Sequence, residues 1–271
     1  MPELPEVETT RRGIRGALRG RRIVEFILRE PRLRWPVDRR LRTTLPGQRV
    51  RDVRRRAKYL LIELDGGTLI VHLGMSGSLR VLPSETATLV HDHYDLRLDS
   101  GHCLRFNDPR RFGSLLWVEG DPESHPLLAR LGPEPLEGGF DAEHLFKKAR
   151  GRRLAIKPFI MDQHVVVGVG NIYASEALFR AGISPRRAAG RVNRERLERL
   201  VGAVREVLAE AIGVGGTTLR DYVSPEGNPG YFRQRLDVYE RTGQPCRQCA
   251  TPIRRLQQGQ RSTYFCPSCQ K

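Results

Sequence analysis

Two cysteine pairs constrain this chain more than any other feature. Cys246-x2-Cys249 is followed after sixteen residues by Cys266-x2-Cys269. Each pair can chelate from one tight turn, and a hairpin between them closes a tetrahedron, the spacing of a four-cysteine zinc ribbon. Four thiolates fill the coordination sphere of Zn2+, so one structural zinc is expected, with no position left open for a substrate. The metal would hold a segment too small to fold alone. Four of the five cysteines fall in the last 26 residues, which argues for metal rather than a disulfide framework and for a reducing compartment. Cys103, in the alternating run HCLRFND, reads as a small buried hydrophobe.

Charge restricts the partner. Forty-seven Lys and Arg face 31 Asp and Glu, a net +16 with a pI of about 10.5. Between Arg11 and Lys58, eighteen basic residues face four acids. An arginine-rich genome would raise the arginine count but would not strip the compensating acids from one segment. The excess favours a polyanion such as DNA. No stretch approaches the ~18 consecutive apolar residues that span a bilayer. The opening MPELPEVETT is acidic and lacks the apolar run of a secretory signal. A cytoplasmic protein with no membrane partner is the expectation.

Hydrophobic periodicity divides the chain. Residues 5–19 read as a helix, with Val7, Ile14 and Leu18 on one face and Pro5 in the first turn. Strand signals follow at 23–28, 59–64 and 68–73, the last two flanking a hairpin loop at Asp65-Gly66-Gly67. DLRLDSGHCLRF reads as a second hairpin turning at Asp99-Ser100-Gly101, and 113–120 as a further strand. Residues 2–131 are therefore expected to form a helix followed by a β-sandwich. GPEPLEGGF at 132–140 reads as a boundary. Helices are expected at 141–150, 171–181 and 193–212, then a glycine-rich loop from Gly213 to Gly230 and short strands around the cysteines from Tyr231 onward. The chain thus reads as multi-domain α+β, divided at 2–131, 132–230 and 231–271.

Several residues carry chemistry. In MPELPE, Met1 precedes a small residue, so its removal would leave Pro2 with a free secondary amine. Such an amine attacking an aldehyde carbon gives an iminium, cationic without protonation and a strong electron sink. Glu3 beside it could move protons. The same residues also fit a plain helix start with acidic caps. Gly168 and Gly170 precede a helix beginning near Asn171, where backbone N–H groups and the helix dipole would favour a phosphate. Lys58 begins a strand beside an arginine cluster and suits either a phosphate ligand or a solvated edge. HDH at 91–93 has nothing nearby to complete a metal site, so His91 fits DNA contact or plain surface. DPRRFG at 108–113 and Met75 in LGMSGS offer apolar and cationic tips on turns, suited to filling the gap left by a displaced base or to ordinary turn packing.

PELPEVET, RRAKYLL, HLGMSGSLR, HDHYDL, DPRRFG, LGPEPL, AIKP, VVGVGNIYASEALF, GGTTLRDY, PGYF and the four-cysteine tail occur in this order along essentially the whole chain. Together they resemble the bacterial formamidopyrimidine-DNA glycosylases, repair enzymes for oxidised purines. The resemblance implies an N-terminal helix and β-sandwich, a helical domain with a helix-two-turn-helix, and a zinc finger. It implies a monomer that excises 8-oxoguanine and formamidopyrimidines from double-stranded DNA and then cuts the strand by β- and δ-elimination. By position it makes Pro2 the Schiff-base nucleophile, Glu3 the proton donor for base removal, Lys58 that of β-elimination and Arg261 that of δ-elimination. His91, Arg110 and Arg152 correspond to DNA contacts, with Arg152 where a lysine is common. Met75, Arg110 and Phe112 resemble the residues that insert into the duplex, and Lys157 and Asn171 resemble phosphate ligands. Gly213 to Gly230 matches the family's lid.

Two other readings differ in function. An endonuclease VIII-like enzyme would prefer oxidised pyrimidines, and a non-enzymatic zinc DNA-binding protein could use the same scaffold. PELPEVE and the glycine-rich segment match the purine branch, and Pro2, Glu3 and Lys58 argue for an enzyme. The basic excess has a direct check. Affinity for duplex DNA should fall with salt with a log–log slope of about −0.9 per phosphate neutralised, measured by titration at several salt concentrations. A salt-independent affinity would contradict it.

Overall fold

Residues 2–216 and 236–271 are described in a computed structural model of the chain. They fall into two compact units, 2–129 with 214–216, and 130–213 with 236–271. Residues 217–235, which hold most of the segment read as a lid, all but the two glycines of GGTTLRDY, the PGYF motif and the first residues of the zinc segment, lie outside the described residues, as does Met1.

The first unit opens with α1 (Leu4–Leu18), whose Val7, Ile14 and Leu18 are at most 1% exposed. After β1 (Ile23–Leu28) and the single turn α2 (Leu41–Thr44) come seven strands: β2 (Val50–Arg56), β3 (Tyr59–Leu64), β4 (Thr68–His72), β5 (Ser78–Pro83), β6 (Asp92–Leu98), β7 (His102–Asn107) and β8 (Ser114–Val118). They make two antiparallel four-stranded sheets, ordered β2-β3-β4-β8 and β1-β6-β7-β5. One apolar cluster draws on both sheets and on α1: Val53, Leu60, Ile62 and Val71 from the first sheet, and Phe26, Leu79, Leu96 and Phe106 from the second. This is the expected β-sandwich with an N-terminal helix.

The strands at 23–28 and 59–64 lie where the sequence places them, and those at 68–73 and 113–120 are trimmed by one to three residues. β5 was not expected, and neither was β2. Its sequence VRDVRRR looks like a charge run because only Val50 and Val53 face inward, three residues apart. A bulge between Val50 and Asp52 breaks the two-residue alternation and turns both valines to the same face. Its arginines are paired: Arg54 with Glu63 on β3, Arg51 with Asp65, and Arg55 with Glu8 on α1.

In the second unit, α3 (Ala142–Ala149), α5 (Asn171–Arg180) and α6 (Arg194–Gly213) match the expected helices, and a five-residue α4 (Ile156–Ile160) with Pro158 inside it was not foreseen. α6 presents Leu197, Leu200, Val204, Val207 and Leu208 to the core and packs on α3 and α5. β9 (Arg254–Gln258) and β10 (Arg261–Phe265) pair as a hairpin between the two cysteine pairs, and β10 packs on α5. Among the described residues no helix is long and apolar enough to cross a membrane.

The sandwich also buries a charge network that composition alone does not show. Arg105 on β7 is 1% exposed and grips Asp95 on β6 through Nε and Nη2, both at 2.9 Å. Arg29 adds a third bond to Asp95 at 2.6 Å, and Arg105 Nη1 donates to the carbonyls of Thr86 and Ala87. Burial alone would raise the Asp95 carboxyl, but the two guanidinium groups outweigh it and hold it below its ordinary value. Asp95→Ala would strand a buried guanidinium. It should cost about 3–5 kcal/mol of stability, read as a lowered denaturant midpoint at constant slope. A midpoint close to that of the unmodified chain would contradict this account.

Candidate active site and DNA interface

The start of α1 is fixed by two reciprocal hydrogen bonds. The Glu3 carboxylate accepts from the Glu6 backbone N–H, and the Glu6 carboxylate accepts from the Glu3 N–H at 2.9 Å, a capping box with Pro5 in the first turn. Pro2 is buried, and Glu3 and Glu6 are each 3% exposed. The capping reading of PELPE is therefore correct, and it does not compete with a chemical role: the cap holds Pro2 and Glu3 in one place. One turn on, Glu8 accepts from Arg11 and Arg12 and pairs with Arg55 of β2. Burial would raise the Glu8 carboxyl, but these guanidinium groups bring it down to about 2. The anchor between α1 and β2 is thus ionic at any ordinary pH.

Lys58 lies in the two-residue turn joining β2 to β3, between the paired Arg56 and Tyr59. Ala57 beside it takes a left-handed φ of 54°, where glycine is usual, so the turn is held by its surroundings. Across the sheet, Tyr59 pairs with His72, their rings 5.0 Å apart. Burial, then the positive charges of Lys58 and Arg34, push His72 down to about 4. Its neutral ring accepts from the Gly74 N–H through Nδ1 at 3.0 Å.

Gly74 opens the turn that carries Met75. It sits at φ 68° against the backbone of Phe112 and Gly113, where a Cβ would lie 2.5 Å from the Gly113 nitrogen. Met75, Arg110 and Phe112 are thus carried on two touching loops. Phe112 is 47% exposed, with the Arg110 guanidinium 5.2 Å from its ring centre. His91, exposed and at φ 74°, joins the second loop through its carbonyl, which accepts from the Asp108 N–H. A surface pocket beside it is lined by Arg29, His91, His93, Pro109 and Arg111, with Glu30 and Asp92.

The second unit carries another group. Lys157 on α4 is 1% exposed, and its ammonium donates to Asn171 Oδ1 at 2.6 Å, Thr263 Oγ1 at 2.7 Å and the Ser262 carbonyl at 3.1 Å. Asn171, the first residue of α5 after the Gly170 cap, donates to the same carbonyl. These bonds tie the zinc hairpin to α4 and α5. Exposed Arg261 begins β10 beside them, and a pocket there is lined by Lys157, Met161, Gln258, Gly259 and Arg261. Arg152 is exposed, its Nε donating to the Lys148 carbonyl at 3.0 Å and its guanidinium 6.0 Å from the ring centre of Phe159 on α4.

The four cysteine sulfurs lie within 4.8 Å of one another. Sulfur pairs at 3.4, 3.5 and 3.9 Å match the edge of a tetrahedron with Zn–S bonds of about 2.3 Å. Cys246 and Cys266 belong to a small core with Phe179, Val238 and Ile253. The donor set and its shape fit one structural Zn2+.

Three family models match this chain: the formamidopyrimidine-DNA glycosylase N-terminal domain over residues 1–115, the formamidopyrimidine-DNA glycosylase H2TH domain over 131–223, and a zinc finger found in FPG and IleRS over 243–271. The chain is 62% identical to the formamidopyrimidine-DNA glycosylase of Thioalkalivibrio sulfidiphilus, with both chains covered completely. The chain belongs to the formamidopyrimidine-DNA glycosylase family. Solved relatives agree. The MutM (Fpg) protein of Thermus thermophilus is 44% identical, with 99% of this chain and 98% of that one covered and a TM-score of 0.88. The Lactococcus lactis Fpg in complex with DNA containing an abasic site is 33% identical, with 99% of each chain covered and a TM-score of 0.92. A variant of the Lactococcus protein is bound to Fapy-dG containing DNA, at 32% identity, full coverage of both chains and a TM-score of 0.92.

As a member of the glycosylase family, the chain is a base-excision repair enzyme with a structural zinc finger, and neither alternative reading is favoured. Sequence reasoning missed Asp108, Ser76 and Glu176. Asp108 is buried in the loop of Arg110 and Phe112, and its position before a turn was the available signal. Glu176 is the one carboxylate in the buried run IYASEALF. It accepts from the backbone N–H groups of Asp237, Val238 and Tyr239, while burial pushes its carboxyl up against those three bonds. Chelating the zinc should open the 254–265 hairpin to protease and weaken DNA binding, both reversed by added Zn2+. An unchanged digestion pattern in the metal-free protein would contradict the structural role.

Proposed function

We propose that this chain, as a monomer acting on the nucleoid in the bacterial cytoplasm, removes oxidised purines from duplex DNA and cleaves the strand at the resulting site. In this reading, residues 2–131 form the catalytic domain, 132–230 the helix-two-turn-helix domain with a lid, and 231–271 the zinc finger. The observation that carries it is the capped helix start, in which Pro2 and Glu3 are both buried.

Once Met1 is removed, the Pro2 nitrogen is a free secondary amine. It attacks C1′ of the damaged nucleotide, and the base leaves with a proton supplied from Glu3. The deoxyribose ring opens to an iminium between C1′ and the Pro2 nitrogen. The iminium acidifies C2′–H, and loss of that proton breaks the C3′–O bond and expels the 3′ phosphate, with Lys58 handling protons in this β-elimination. A second elimination along the conjugated chain expels the 5′ phosphate, with Arg261 as its proton donor. Hydrolysis of the iminium frees Pro2.

A base inside a duplex must leave the stack before C1′ can be reached, at about a few kcal/mol. Met75, Arg110 and Phe112 fill the space it leaves. His91, Arg152, Lys157 and Asn171 hold the backbone, the last two through a site whose polar groups already converge on the zinc hairpin. Arg152 in place of lysine keeps the cation a phosphate contact needs.

Oligonucleotide duplexes test this directly. With 8-oxoguanine, the products should be strands ending in 3′ and 5′ phosphates around a one-nucleotide gap. Arg261→Ala should accumulate the 3′ unsaturated aldehyde instead. A thymine glycol duplex should be cut more slowly. Preference for thymine glycol would favour the endonuclease VIII-like reading, and binding without cleavage would favour a non-enzymatic one.

A further inference from the structure

Asp108 is the buried group on which two exposed loops converge, and the chemistry at Pro2 gives it no role. Its side chain is fully buried. Oδ1 accepts from the Ser76 hydroxyl at 2.6 Å and Oδ2 from the Gly113 N–H at 2.8 Å. The Arg110 N–H lies 3.3 Å from both Asp108 Oδ1 and Ser76 Oγ. The backbone of Asp108 is engaged as well. Its carbonyl accepts from His93 Nε2 at 2.7 Å and from the Arg111 N–H at 3.2 Å.

One carboxylate therefore spans the turn of Met75 and both ends of the loop of Arg110 and Phe112. The loops have no slack where they touch. A Cβ on Gly74 would strike the Phe112–Gly113 backbone, and one on Gly113 would lie 2.5 Å from Phe106 Cζ. The tips beyond this lock remain open, with Phe112 about half exposed and the Arg110 guanidinium resting over it.

We infer that Asp108, acting through Ser76 and Gly113, is a positioning residue that locks the two loops into one rigid wedge, so that Met75, Arg110 and Phe112 enter the duplex together. The inference rests on the reading of those three side chains as gap-filling residues. Its physical basis is preorganisation: loops ordered in the free protein lose little further freedom when they insert. The carboxylate touches no reacting atom, so its effect falls on base extrusion and not on the chemistry at C1′.

Two substrates separate those steps under single turnover. One is a duplex with 8-oxoguanine opposite cytosine, where a base must be extruded. The other is a single-stranded oligonucleotide with a preformed abasic site, where none is. Asp108→Ala and Ser76→Ala should slow duplex excision by about tenfold or more, the scale set by an unmade buried hydrogen bond, and leave single-strand cleavage within about twofold. Asp108→Asn should recover part of the duplex rate, because its amide oxygen accepts from Gly113 N–H and its amide nitrogen donates to Ser76 Oγ, which can still accept from Arg110 N–H, while the acceptor at Oδ1 is lost. Phe112→Ala, which removes a tip and leaves the lock, should slow duplex excision as Asp108→Ala does.

Equal slowing on both substrates overturns the positioning role, and so does an asparagine variant as slow as the alanine one. Slow duplex excision in Phe112→Ala alone, with Asp108→Ala at the unmodified rate, also overturns it and leaves the wedge standing. If Phe112→Ala spares the duplex too, the wedge reading falls and the inference falls with it. Should Asp108→Ala fail to fold, Ser76→Ala, which keeps the Gly113 bond, decides the matter.

Discussion

The reciprocal bonds between Glu3 and Glu6 fix the start of α1, and with it Pro2, the residue on which the proposed chemistry depends. A nucleophile at the end of a chain is normally the least ordered group in a protein, because termini lack neighbours on one side. Here the second residue precedes a helix whose first turn is closed by two buried carboxylates, and the helix is held to β2 by the ion pair between Glu8 and Arg55. The same bonds that cap the helix fix the backbone that follows Pro2. A terminal amine used in this way needs no activated lysine, and the iminium it forms is charged at every pH.

The arginine content has two uses that composition cannot separate. Many of these residues are spent within the fold. Arg105 and Arg29 neutralise Asp95, Arg55 holds Glu8, and Arg51 and Arg54 pair along the edge of β2. Others, such as Arg110, Arg152 and Arg261, stay exposed at places the DNA reading uses. The net +16 therefore describes the field of the molecule and not a number of phosphate contacts. In the second unit, the zinc ribbon does not offer a metal for chemistry. Through Lys157 and Asn171 it fixes the strand that begins with Arg261.

Regular periodicity made most of the fold legible. α1, α5 and α6 announce themselves by apolar faces, and β3 and β4 by nearly continuous apolar runs. β2 did not, because a bulge replaced alternation with a three-residue spacing inside a run of arginines. α4 did not, because five residues around a proline carry no period. Among site residues, the four cysteines were legible because their chemistry is tied to spacing. Asp108, Ser76 and Glu176 were not. Each is a single polar residue whose meaning depends on backbone N–H groups or side chains brought to it by the fold, over separations of 32 residues for Ser76–Asp108 and 61 to 63 for Glu176.

The central claim is that the Pro2 nitrogen forms the covalent intermediate. Borohydride reduction during turnover on a lesion duplex, followed by proteolysis and mass measurement of the adduct, tests it most directly. The account predicts a deoxyribose-linked peptide beginning at Pro2, with Met1 absent, and no adduct in Pro2→Gly mapped to another residue. A reduced adduct on Lys58 or any other lysine, with Pro2 unmodified, would contradict it.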